Sequence, residues 1–124
     1  MKSLKEKLIA VAGVSNDTAK FGYKIFKSLV ENGFDVCGIN PKGGSILNRP
    51  IYKGLSEIGK VPDIVITAVR PEVTENIVEE CKRIGIKEIW MQPGSESLTA
   101  IENARKYGMS VTHDSCIMID SGLW

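Results

Sequence analysis

Short apolar runs rich in β-branched residues alternate along this chain with segments whose apolar residues recur at helical spacing, and this alternation limits the possible folds more than any other feature. Leu8-Ile9-Ala10-Val11-Ala12 opens the series, Phe34 to Ile39 follows, and Asp63 to Val69 is the clearest run. Ile86 to Met91 and Met109 to Thr112 complete five predicted strands. A strand covered by helices on both faces loses polar alternation and reads as a continuous apolar run. Between these runs, Phe21, Ile25, Phe26, Leu29 and Val30 predict one helix, ended by Asn32-Gly33. Val73, Ile77, Val78, Cys81 and Ile84 predict a second, opened by Pro71 and stopped by Gly85. Leu98, Ile101, Ala104 and Tyr107 predict a third, stopped by Gly108. In the stretch from 46 to 61 the pattern weakens to a short turn or edge segment at Pro50-Ile51-Tyr52 and a short helix near Leu55 to Ile58. No clear period runs from Asp114 to Trp124.

Strands alternating with helices make βαβ units, and right-handed crossovers assemble them into a parallel sheet. The expected fold is therefore α/β: a Rossmann-like, doubly wound parallel sheet of about five strands in the order 3-2-1-4-5, with helices on both faces in three layers. A length of 124 residues with 43% apolar content supports one domain, spanning 1–124. The formal net charge of +1 argues against nucleic acid as the partner, because non-specific binding needs a strong positive field. No apolar stretch approaches the ~20 residues that cross a bilayer. Met1 to Lys7 has no apolar run of a signal peptide. The cysteines at 37, 81 and 116 are odd in number and form no CxxC pair, which suits reduced thiols in the cytoplasm.

In such a sheet ligands bind beyond the carboxyl ends of the strands, where the strand order reverses. Four loops are expected there. The first, Gly13-Val14-Ser15-Asn16-Asp17-Thr18-Ala19-Lys20, offers a glycine for close backbone approach, hydroxyls, a cation and the free amides of the following helix, all suited to a phosphate. It matches neither GxGxxG nor the P-loop. The second strand ends in Asn40-Pro41-Lys42 rather than the acid that holds a ribose diol in NAD-binding domains. A neutral residue followed by lysine suits a phosphate, which leaves NADP open as a ligand. Arg70 follows the most buried strand and can fork onto a phosphate. Gln92, before Pro93, can hydrogen-bond an amide or a base.

Taken together, Gly13-Val14-Ser15 with Lys20-Phe21-Gly22, Ile39-Asn40-Pro41, Pro62-Asp63-Ile64-Val65, Val69-Arg70-Pro71-Glu72, Ile89 to Gly94 and Asp114-Ser115-Cys116 resemble one family from about Lys7 to Ile117. These are the small CoA-binding domain proteins, relatives of the CoA-binding domain of the succinyl-CoA synthetase α subunit. The resemblance implies coenzyme A, free or acylated, held by Gly13, Val14, Ser15 and Lys20 in the first loop. It adds Asn40, Pro41 and Lys42 in the second, Ala68, Val69 and Arg70 in the third, and Gln92 and Pro93 in the fourth. Two positions depart from the family pattern. Val69 stands where an aromatic residue is frequent, and Ser115 where an arginine is frequent.

The phosphorylated histidine of the synthetases belongs to another domain, and the one histidine here, His113 beside Asp114, is expected to be structural. Cys116 is the one candidate reactive group. Beside a CoA thiol it would permit a mixed disulfide, whereas a buried inert thiol is the simpler role. The sequence therefore points to a non-catalytic module that binds CoA or acyl-CoA, a carrier, sensor or regulatory subunit. An NADP-dependent reductase or a ligand-free interaction domain are the alternatives, and a homodimer is the expected assembly.

Overall fold

The computed structural model describes residues 2–124. Its sheet has seven strands: β1 (Leu8–Ala12), β2 (Asp35–Ile39), β3 (Ser45–Ile46), β4 (Arg49–Tyr52), β5 (Ile64–Thr67), β6 (Glu88–Met91) and β7 (Ser110–Thr112). Four α-helices accompany them: α1 (Phe21–Glu31), α2 (Pro71–Ile84), α3 (Leu98–Lys106) and the short α4 (Ile117–Asp120). The sheet order is β3-β4-β2-β1-β5-β6-β7, and every pairing is parallel except β3 with β4. The expected α/β class and mostly parallel sheet are present.

Two expectations change. There are seven strands rather than five, and the strand at Ile64–Thr67 lies beside β1, not beyond β2. Ile9 pairs with Ile64 and Ala12 with Thr67. The place beyond β2 is taken by β4, where Gly38 pairs with Ile51. A tight hairpin brings β4 there: Leu47 and Asn48, the two residues between β3 and β4, both have positive φ, at 54° and 60°. That is the conformation of the two-residue turn whose twist matches its strands. With β4 counted as the third strand, the six parallel strands run 3-2-1-4-5-6. The reversal of chain order falls between β1 and β5.

Alternation along each strand sends side chains to two cores. Ile9, Val11, Ile64 and Ile66 face α1 and α4 through Ile25, Phe26, Leu29, Ile117 and Met118. Ala10, Ala12, Val65, Ile89 and Met91 face α2 and α3 through Val78, Cys81, Ala100, Ile101 and Ala104. Small Ala10 and Ala12 let α2 and α3 sit close to the centre of the sheet. Phe21 and Leu98, expected on the buried faces of their helices, are 62% and 71% exposed. Each is the first residue of its helix, where the chain is still turning in from a loop. No helix among the described residues is long and apolar enough to cross a membrane.

The segment after β7 also finds a place. The Trp90 indole N–H donates to the Ser115 carbonyl at 2.7 Å, and the Trp124 indole N–H donates to Ser28 Oγ at 2.8 Å. Ile117 and Met118 are buried under α1, so the tail completes the core on the α1 face of the sheet.

Candidate functional site

A cleft runs along the carboxyl ends of β1, β2, β4, β5 and β6, over the point where strand order reverses. It has two lobes of about 820 Å³ and about 540 Å³. Gly13, Lys20, Ala68, Val69 and Gly94 line both, so they form the shared wall. Both volumes are within the range of small-molecule sites.

At this wall the backbone is held by close contact. Gly13 has φ of 102°, and a Cβ on it would sit 2.3 Å from the Ala68 carbonyl oxygen. Its missing side chain thus makes room for the end of β5 rather than for a ligand, which refines the expected role of this glycine. A Cβ on Gly22 would sit 2.1 Å from the Gly13 carbonyl oxygen, so α1 enters directly against the first loop. Between them, Ser15 Oγ accepts from the Asp17 N–H and Asp17 Oδ1 accepts from the Ala19 N–H. These turns carry Lys20 to the cap position of α1, which has no side-chain cap. The second loop is tied to the first through Asn40. Its Nδ2 donates to the Val14 carbonyl at 2.7 Å, and its Oδ1 accepts from the Lys42 N–H at 2.8 Å. Only a side chain with both a donor and an acceptor can do both, which accounts for asparagine here in place of an acid.

The larger lobe is cationic. Lys20, Lys53, Arg70 and Arg83 line it against one carboxylate, Glu80. On a chain whose net charge is +1, that concentrates positive potential at one edge. Arg70 is paired with Glu72 at 3.3 Å, but both side chains are mostly exposed, so the pair is weak and readily exchanged for another anion. Ser15, Asn40, Pro41 and the first residues of α2 complete this lobe.

The smaller lobe is mostly apolar. Ala19, Phe21, Val69, Pro93, Ile119 and Trp124 line it, with Cys116 and Gln92 at its wall. Gln92 to Ser95 form a turn in which the Ser95 N–H donates to the Gln92 carbonyl at 2.9 Å. Pro93 and Gly94, with φ of 92° at the glycine, are the residues a type II turn requires. The buried Ser95 hydroxyl lies 2.8 Å from Thr67 Oγ1 and 2.7 Å from the Gln92 carbonyl oxygen, locking the turn onto β5. Gln92 itself is 4% exposed. Its Oε1 accepts from the Ile117 N–H at 2.9 Å and its Nε2 donates to Cys116 Sγ at 3.4 Å. Its amide anchors the tail and does not point a free group at the cleft.

Ten of the twelve residues expected from the sequence line the cleft: Gly13, Ser15, Lys20, Asn40, Pro41, Ala68, Val69, Arg70, Gln92 and Pro93. Val14 does not, because its side chain is fully buried in the core under Gly38. Lys42 does not line it either, and enters only through its backbone bond to Asn40. Sequence reasoning missed Lys53, Asn76, Glu80 and Arg83 in the larger lobe and Phe21, Ile119 and Trp124 in the smaller. Asn76, Glu80 and Arg83 share a helical stripe beside the buried stripe of Thr74, Val78 and Cys81, a spacing readable once the direction of α2 is known. Lys53 follows β4, which the sequence marks only as a short turn or edge segment and not as a strand bordering a ligand site.

His113 is outside both lobes, its Nδ1 2.6 Å from Asp114 Oδ2. The three cysteines are free thiols. Burial, with Glu80 next, pushes the Cys81 thiol up to about 12, and burial with Asp35 raises Cys37. Neither lines the cleft, whereas Cys116 does.

With these features in place, comparison with known proteins identifies the class. The model of the CoA binding domain family matches residues 7–122, so the chain belongs to that family. It is 32% identical over 121 residues to the alpha subunit of ADP-forming acetate–CoA ligase I from Pyrococcus furiosus, across 85% of this chain and 26% of that subunit. The chain thus spans about a quarter of the length of that curated relative. Among solved structures, a conserved hypothetical protein from Pyrococcus furiosus superposes with a TM-score of 0.86 at 33% identity, covering 90% of this chain and 97% of that one. A hypothetical protein from Pyrococcus horikoshii superposes with a TM-score of 0.89 at 28% identity, covering 94% and 82%. The resemblance to the succinyl-CoA synthetase type of CoA-binding domain therefore holds over most of the chain.

Proposed function

We propose that the chain binds coenzyme A or an acyl-CoA in this cleft and does no chemistry on it alone. The observation that carries the reading is the convergence of Lys20, Lys53, Arg70 and Arg83 at one lobe of a two-lobed cleft over the strand-order reversal. CoA carries anionic phosphates at one end and an uncharged arm ending in a thiol at the other, and the two lobes differ in the same sense, one cationic and one mostly apolar. Membership of the CoA binding domain family supports the same ligand. The uncapped first turn of α1 adds amide donors beside Lys20.

In this reading Arg70 exchanges Glu72 for a phosphate, and Lys20 and Lys53 neutralise the remaining charge. Asn40 holds the first and second loops in register so that the cations converge. The role is that of a carrier, a sensor or a regulatory subunit.

Isothermal titration calorimetry on ligand-stripped protein tests this, with NADP and NAD as controls. CoA is expected to bind and the nicotinamide nucleotides not to. Arg70→Ala and Lys53→Ala should each weaken CoA by about 1.5–3 kcal/mol, the worth of a charge-assisted hydrogen bond. A folded protein that ignores CoA overturns the proposal, and one that prefers NADP replaces it with a redox reading.

A further inference from the structure

The smaller lobe has a property that CoA binding alone does not require: its polar side chains other than Lys20 are already engaged within the chain. Both ends of the Gln92 amide are hydrogen-bonded to the tail, at Ile117 N and Cys116 Sγ. The Ser95 hydroxyl is held by Thr67 and the Gln92 carbonyl. The Gly94 N–H donates to Glu96 Oε2 at 2.9 Å, and the Trp124 indole N–H to Ser28. Apart from Lys20 at the junction with the cationic lobe, what remains facing the lobe is apolar, and much of it is exposed to water. Phe21 is 62% exposed, Ile119 65% and Trp124 45%, and the Phe21 and Trp124 rings lie 6.2 Å apart. Large apolar side chains gathered around a concave surface mark a binding site rather than ordinary surface.

Continuity identifies the occupant. The lobe joins the cationic lobe through Gly13, Lys20, Ala68, Val69 and Gly94, and at this junction the side chains other than Lys20 are small or absent. A ligand whose phosphates are held by Lys20, Lys53 and Arg70 can therefore extend past Val69 into the apolar lobe. We infer that the smaller lobe receives the acyl group of an apolar acyl-CoA thioester, so that the chain selects acyl-CoA over free CoA and rejects acyl groups ending in a carboxylate. The inference rests on the CoA reading of the larger lobe. Discrimination against a terminal carboxylate follows because Lys20, the one cation among the described residues of this lobe, is taken by the phosphates of the same ligand and the lobe's other polar side chains are engaged, so an anion entering it loses water and gains no free side-chain donor.

The test is a calorimetric series on the wild-type protein with CoA, acetyl-CoA, butyryl-CoA, hexanoyl-CoA and succinyl-CoA. Affinity is expected to rise about fourfold per buried methylene along the saturated series until the lobe is filled. Succinyl-CoA, which carries a carboxylate where butyryl-CoA carries its terminal methyl, is expected to bind at least about tenfold more weakly than butyryl-CoA. Two variants localise the effect. Ile119→Ser removes apolar wall from an exposed position, and Val69→Phe narrows the junction. Each should reduce the ratio of hexanoyl-CoA to CoA affinity by at least about threefold. If CoA binds but the saturated series is flat, or if succinyl-CoA matches butyryl-CoA, the acyl assignment is overturned while the CoA site stands. If neither CoA nor any thioester binds the folded protein, both fall.

Discussion

Gly22→Ala separates two physical effects of opposite sign. Alanine is the better helix former, and by propensity alone the change in α1 stabilises by up to about 1 kcal/mol. The structure predicts the reverse. The new Cβ would lie 2.1 Å from the Gly13 carbonyl oxygen and 2.7 Å from the Gly13 carbonyl carbon. Non-bonded carbon contacts settle near ~3.5 Å, so the start of α1 must retreat by more than ~1 Å. Both atoms met are backbone, and the Gly13 N–H is itself fixed to the Ile39 carbonyl at 3.1 Å, so neither side yields by a rotamer change. Overpacking of this kind costs about 1–3 kcal/mol, which outweighs the propensity gain. The net expectation is a loss of about 1–2 kcal/mol. With a urea slope of roughly 2 kcal/mol/M, usual for a small domain, the unfolding midpoint falls by about 0.5–1 M. Equilibrium urea unfolding followed by circular dichroism reads it directly, and an unchanged slope assigns the change to the native state. Because Lys20 and Phe21 are the residues at the start of α1, CoA affinity should fall with it. A midpoint equal to or above wild type refutes the close-contact argument.

Asn40→Asp should destabilise by about 1–3 kcal/mol at neutral pH, because the carboxylate cannot donate to the Val14 carbonyl. A carboxylate facing that oxygen has its folded pKa raised, so the deficit should be smallest below about pH 4 and grow as pH rises, as urea midpoints across pH will show. Asp63 behaves oppositely: the Leu8 N–H, at 2.8 Å, is the main cause holding its carboxyl below the usual range, against a smaller opposing effect of burial, with Lys2 assisting. Its contribution is therefore present above the unfolded value of about 3.9 and lost as pH falls through the lower folded value. The stability gap between wild type and Asp63→Asn should close in acid, and a gap that widens contradicts the assignment. Under native alkylation with iodoacetamide, Cys81 should stay unmodified because burial holds it as the thiol. Hexanoyl-CoA should slow modification of Cys116 without affecting Cys37, as peptide mass mapping will report.

The parts of the fold that the sequence discloses are those with a long period. Ile64–Thr67 is buried at every position, and its unbroken apolar run identifies it as a central strand. Ile25, Phe26 and Leu29 repeat as the buried face of α1. The hairpin of β3 and β4 escapes because β3 has two residues and the turn is Leu47-Asn48, which lacks the glycine that normally marks such turns. Leaving the turn or edge segment at Pro50-Ile51-Tyr52 out of the five strands in turn displaced β5 in the expected strand order, since nothing else filled the place beyond β2. For the site, the strand-end rule finds every loop that reaches the cleft except the one after β4. It does not tell that Gln92 anchors the tail, because Ile117 and Cys116 are its partners only through tertiary contact.

The missing glycine fingerprint and the second lobe have one origin. In the fingerprint, a glycine for close helix–strand packing follows the turn glycines almost at once, so the helix starts beside the first strand. Here the packing glycine is Gly22, and the segment Ser15–Lys20 intervenes between it and the turn at Gly13. The end of this loop and the start of α1, Ala19 to Gly22, line the smaller lobe together with the Gln92–Ser95 turn. Space opens between them, bounded by Phe21 on one side and Pro93 on the other. The tail closes the far side with Cys116, Ile119 and Trp124, held there by Gln92, Trp90 and Ser28. The glycine spacing that departs from the sequence motif thus goes with a loop that lines the apolar lobe, while Gly13 and Gly22 keep a close helix–strand contact of the kind the motif gives. Shortening the loop to restore the fingerprint spacing would remove that space, and with it the physical basis for preferring a thioester to free CoA.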